Sequence, residues 1–133
     1  MGAWGAGPFE NDDALDFVAE LSEVAGSERG SRIESALALQ ADGYLELAEA
    51  CAAIAAAGLI AVARGATFDD LDEEIIELAQ SDLLRDDLRI KELAVAALAR
   101  VSGESSEWRD LWSESGSSEE ADQMLVALRA ALA

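Results

Sequence analysis

No histidine occurs anywhere in this chain of 133 residues. Its absence removes the commonest general base, the usual zinc ligand, the metalloprotease helix motif and any serine or cysteine triad built on imidazole. Cysteine occurs once, at Cys51, so no disulfide can form within the chain. That thiol lies in the apolar stretch EACAAIAAAGLIAVA, where a cysteine behaves as a small hydrophobe. Proline also occurs once, and aromatic residues make up only 5% of the chain. A core of Ala, Leu, Ile and Val with few rings suits closely packed helices better than stacked sheets.

Positive charge is the other shortage. Nine basic residues, of which Lys91 is the one lysine, face 28 acidic ones, for a net charge of −19. That field repels phosphate backbones and anionic lipid, so neither nucleic acid nor a membrane surface is expected as a partner. An acid-rich surface suits docking onto a basic protein. It also suits solubility or adaptation to salt with no partner at all, which is the plainer reading of the charge alone. The start shows no basic n-region, apolar h-region or cleavage pattern, so a reducing cytoplasm is the expected setting. The longest uncharged run, residues 50–63, is too short to cross a bilayer and reads as a buried helix.

What is present reads as helix after helix. Asn11 or Asp12 is placed to cap a first helix, with Leu15, Val18, Leu21 and Val24 or Ala25 as its apolar stripe and Gly26 as its stop. Ser31 and Glu34 have capping-box spacing before a short helix over Ile33, Leu37 and Ala38, which Asp42 and Gly43 break. From Tyr44 to Arg64 the pattern is helical and, beyond Glu46 and Glu49, apolar all round, which predicts a helix enclosed by others. Gly58 within it predicts close approach by a neighbour's backbone, and Gly65 ends it. Thr67 or Asp69 then caps a helix with Leu71, Ile75, Ile76 and Leu78 or Ala79 inward. Ser81 or Asp82 caps a longer one through Val101 with two apolar stripes, Leu84, Leu88, Val95, Leu98 and Ile90, Ala94, Ala97, Val101. Helical turns around Trp108, Leu111 and Trp112 follow, and Ser117 or Ser118 caps a last helix with Met124, Leu125, Leu128 and Leu132 inward. No stretch alternates polar and apolar residues over strand lengths. The expectation is one all-α domain over 1–133, a bundle of about five to seven helices around the central one, with an irregular arm over 1–10.

The arm reads MGAWGAGPFENDDALDF, and its residues support two readings. Asn11, Asp12 and Asp16 could form a binding patch flanked by Trp4 and Phe9, since aromatics anchor interfaces. Alternatively Trp4 and Phe9 tie the arm onto the bundle, Gly5 and Gly7 let the backbone turn around the indole, and Asn11 or Asp12 caps the helix. The second reading gives every residue a task and is the expected one. Trp108 and Trp112, four apart, share a helical face and read as core rather than as a ligand box.

The pattern Trp4, Gly5, Gly7, Phe9, Asn11, Asp12, Ala14, Asp16, Phe17, together with Ser106, Glu107, Leu111 and Trp112 later on, resembles a bacterial family catalogued as domain of unknown function 4259. The resemblance spans most of the chain and implies a small helical protein with no assigned activity. Two departures stand on one side: the loop GATFDD lacks the family's proline, and Trp108 replaces an aliphatic residue.

Little catalytic inventory is left. Gly5-Ala6-Gly7 lacks a third glycine at the dinucleotide-loop offset, no phosphate-loop pattern exists, and the acids at 70–74 lack a calcium loop's turn glycine. The surviving constellation is Glu20 and Glu23 on the first helix with Glu46 and Glu49 on the central one. Facing each other, they could hold magnesium as in the all-α nucleotide pyrophosphohydrolases, although Glu49 stands where that pattern has aspartate. The same spacing also arises by chance in so acidic a chain and builds a wet helix face. The favoured expectation is a non-catalytic, cofactor-free protein that binds a basic partner, such as a toxin it neutralises; a magnesium-dependent hydrolase and a merely solubilising surface are the alternatives.

Overall fold

Asn11 determines where the first helix begins. Its Oδ1 accepts the Ala14 N–H at 2.8 Å, satisfying one of the amides that a helix start leaves bare. Asp12 and Asp13 add negative charge where the helix dipole favours it. The computed structural model describes residues 7–68, 71–80, 84 and 87–133. Among these residues there are seven helices: α1 (Asp12–Glu23), α2 (Gly26–Leu37), α3 (Leu47–Ala63), α4 (Glu73–Ala79), α5 (Leu88–Ser102), α6 (Glu107–Ser115) and α7 (Ser118–Leu132). No strand is present among them; an isolated parallel bridge joins Leu45 to Ser106. The fold is all-α.

Helix α3 packs against all six others. Every residue from Ala53 to Ala61 is buried, and the alanines at 53, 55, 56, 57 and 61 have no exposed surface. Small side chains let neighbouring helices come close on every side, which is how a helix without a polar face is accommodated. The helix ends in a Schellman motif: Ala66 N–H donates to Ala61 O at 2.9 Å and Gly65 N–H to Val62 O at 3.0 Å, with Gly65 at φ 102°. Gly58 does accommodate a close neighbour, but not a backbone. A Cβ there would lie 3.0 Å from the Phe9 ring and 3.1 Å from Pro8 Cβ, so the chain entering α1 is seated directly on the central helix.

Several boundaries differ from those the sequence predicts, each for a local reason. Gly26 opens α2 rather than ending α1, because α1 already stops at Val24 and the chain re-enters helix at once. Ser31 therefore lies inside α2 and forms no capping box. Tyr44 and Leu45 precede α3, with Leu45 bridged to Ser106; Glu46 is its N-cap. Asp72, not Thr67 or Asp69, caps α4 by accepting the Ile75 N–H at 3.0 Å. Asp87 caps α5 by accepting from Arg89 and Ile90, so the helix expected to run unbroken through Val101 has a new start there; Ser81 and Asp82, like Asp69, lie outside the described residues, and Leu84 is helical. Of the two α5 stripes, Ile90, Ala94, Ala97 and Val101 are buried with Leu98, while Leu88 and Val95 are exposed at 67% and 41%. Leu15 and Ile76 also face outward, since short helices on a small bundle bury only a narrow stripe.

Three of the arginines share an unexpected task. Arg29, Arg64 and Arg109 donate to backbone carbonyls at the ends of helices other than their own. Arg29 on α2 bonds Leu21 O and Ser22 O at the end of α1. Arg64 bonds Ala131 O and Ala133 O at the end of α7, and Arg109 bonds Ser102 O at the end of α5. Each places a cation at the negative end of a dipole and satisfies carbonyls that the helix itself leaves bare. A forked guanidinium can reach several acceptors at once, which a lysine ammonium does less well.

Candidate functional site

Two loops meet beside the start of α3. Leu45 N–H donates to Ser105 O at 2.8 Å and Glu107 N–H to Leu45 O at 2.9 Å. Arg100 spans the junction, donating to Gln40 O, Gly43 O, Glu104 O and Ser105 O. Ser105 is held there at φ 58°, a left-handed conformation that costs a serine strain and that these bonds maintain. Ser106 is fully buried and caps α6, its Oγ accepting from Arg109 N–H. Glu107 reaches across to accept the Leu47 N–H at 2.8 Å, so a residue of α6 caps α3.

This junction positions Tyr44, the one exposed aromatic among the described residues. Its hydroxyl donates to Asp110 Oδ2 at 2.8 Å. That bond, some desolvation, and the charges of Asp110, Glu107 and Glu114 push the phenol up to about 12. The arrangement is a ring restrained at its tip and surrounded by carboxylates from a neighbouring helix. What it can do is receive a cation, by charge and through the ring face. Sequence reading took Tyr44 as the first residue of the central helix and assigned it no task. The available signal was a lone tyrosine ahead of a helix whose first turn is otherwise acidic and alanine-rich.

The residues that the sequence singles out are placed as follows. Trp4 and Gly5 lie outside the described residues. Gly7 N–H donates to the Glu10 carboxylate at 3.0 Å, and Phe9 is buried against α3. Asn11 caps α1, Asp12 and Asp16 are exposed on its outer side, and Phe17 is half-buried against the core. Leu111 and Trp112 are half-buried, and Trp112 meets the buried Trp108 with ring centres 6.4 Å apart and planes tilted by 54°. Asn11, Asp12 and Asp16 thus do not converge with Phe9, which turns inward.

Glu20, Glu23, Glu46 and Glu49 are all exposed. They are not brought together: among the described residues no group of three or more His, Cys, Asp or Glu side chains is placed to hold a metal ion. These four residues therefore do not fit a magnesium centre. Cys51 is buried and free, and burial, aided by Asp13 and Glu107, pushes its thiol up to about 12. No helix among the described residues is long and apolar enough to cross a membrane.

An all-helical body in which Asn11 and Ser106 cap helices and Phe9 faces the core defines a class by fold rather than by chemistry. The chain belongs to a family described as a domain of unknown function (DUF4259), whose profile matches residues 2–124. Neither a curated protein nor a solved structure matches it.

Proposed function

We propose that this protein is a non-catalytic binding protein that receives a basic segment of a partner on the surface around Tyr44. The observation that carries the reading is the exposed ring held by Asp110 with Glu107 and Glu114 acting on it. A tyrosine restrained in this way loses little side-chain freedom on binding, and its face attracts arginine and lysine while the carboxylates supply long-range steering. A basic toxin neutralised by capture is one partner of this chemistry. The free buried thiol of Cys51 suits a reducing cytoplasm, where we place the protein. The catalytic alternative has no support in the placement of Glu20, Glu23, Glu46 and Glu49.

A second reading, solubility or salt adaptation alone, is favoured by one observation: each of the seven helices carries an exposed carboxylate, from Glu20 on α1 to Glu119 on α7. The two readings separate in a calorimetric titration with octa-arginine peptide at low salt. Under the binding reading, Tyr44→Ser weakens the peptide by about tenfold, and the pair Asp110→Asn, Glu114→Gln weakens it more than the equally neutralising pair Glu20→Gln, Glu23→Gln. Equal losses from the two pairs, with no effect at Tyr44, would leave the solubility reading in its place.

A further inference from the structure

We propose that a cavity between α1, α2 and α4 is a binding site for a small monocarboxylate with an apolar body, the carboxylate meeting Arg29. The inference is independent of the surface around Tyr44. The cavity has a volume of about 230 Å³ and is lined by Leu21, Ile33, Leu78 and Leu84, with Arg29, Gln80, Gly26 and Gly30 completing it. The four aliphatic residues are all buried, so its walls are those of the core itself. An engineered apolar cavity of roughly 150 Å³ is enough to hold benzene, so a body of about six carbons fits here.

The polar side of the cavity selects the head group. Arg29 is its one charged lining residue among those described, in a chain of net charge −19. Its Nε donates to Leu21 O at 2.9 Å and one terminal nitrogen to Ser22 O at 3.5 Å, which hold the guanidinium in place. No carboxylate among the described residues pairs with it; the ion pair present there is that of Arg89 with Glu34. A guanidinium carries five N–H donors, so Arg29 keeps others free for a ligand. The adjoining start of α2 is bare as well: Ala25 stands at the N-cap position and offers no side-chain cap, and Gly26 follows. Nothing in the backbone requires that glycine, and a Cβ on it would meet no atom within 4 Å. Its consequence is an unobstructed helix start beside the guanidinium, and helix starts favour anions.

The test uses the intact protein and three probes of equal length, hexanoate, hexan-1-ol and hexylamine, followed by amide chemical shifts. Nonspecific association with so acidic a protein favours the amine; the cavity reverses that order. Hexanoate is expected to give saturable shifts centred on Gly26, Gly30 and Leu78, hexanol to bind at least tenfold more weakly, and hexylamine not to saturate. Arg29→Met should abolish the preference for hexanoate over hexanol while hexanol still binds. Gly26→Leu, which has room to fold, should weaken hexanoate at least fivefold by covering the entrance. Hexylamine binding as well as hexanoate, no saturable binding by any probe, or an Arg29→Met variant that keeps the preference would each overturn the proposal.

Discussion

At Tyr44 a phenol hydroxyl donates to a carboxylate that would repel its own ionised form. The hydroxyl is therefore pushed up to about 12 from its ordinary value of roughly 10, with the Asp110 hydrogen bond the largest cause. The sign follows: the protonated phenol is the form that the folded state favours, so its contribution is complete below about 10 and is lost as pH rises through about 12. Tyr44 is the only tyrosine, so phenolate absorbance reports it directly. We expect a native midpoint near 12, moving down toward roughly 10 in Asp110→Ala; a native midpoint near the ordinary value would show that the bond does not persist in solution. The same scale shows what was legible in the sequence. Asn11 as a cap and Gly58 as a point of close approach could be read from residue type alone, because a bare helix start and a missing Cβ have few uses. That the approaching groups are Pro8 and Phe9 could not be read, since it depends on where the arm lies against a helix some fifty residues away. Nor could Arg29 be paired with its cavity, whose walls come from three separate helices.

Among the helices, legibility followed how strongly a segment's own residues demand its environment. The central helix, apolar on all sides, could only be enclosed, and α7 carries one clear stripe; of the stripe expected on α1, Val18 and Leu21 turn inward and Leu15 does not. The sequence of α5 offers two stripes, and only the tertiary partner decides that Ile90, Ala94, Ala97 and Val101 turn inward while Leu88 and Val95 do not. Caps were confused where several candidates stand close together, as with Thr67, Asp69 and Asp72. The arginines had no local signal, because an arginine's own neighbours do not show which carbonyls it meets: Arg29 and Arg109 bond helix ends seven or eight residues back, whereas Arg64 bonds the end of α7. Arg100 shows the strongest case, donating to four carbonyls across two loops. Arg100→Lys should therefore destabilise the protein by about 1–3 kcal/mol in chemical denaturation, although charge is conserved. Arg32→Lys, on an exposed side chain, should change stability by less than about 0.5 kcal/mol. Equal and small effects at both positions would mean that the carbonyls are as well served by water.

For the molecule as a whole, repulsion among carboxylates outweighs attraction. The net charge is −19, the arginines are largely committed to carbonyls, and the carboxylates are spread over every helix. Salt shortens the reach of such repulsion from about 30 Å at 0.01 M to about 10 Å at 0.1 M. The melting temperature should therefore rise by about 5 °C as potassium chloride is raised over that range, each kcal/mol being worth several degrees in a domain of this size. A fall instead would show that attractive ion pairs dominate. The position of α3 at the centre has a further consequence. Because it borders each of the six other helices, losing any one of them uncovers alanine and leucine that have no polar side to turn outward. No subset of the bundle makes a satisfactory smaller protein. During synthesis, α3 emerges before α4 to α7 exist, so the growing chain must carry its most water-averse segment half-clothed until the last helix arrives.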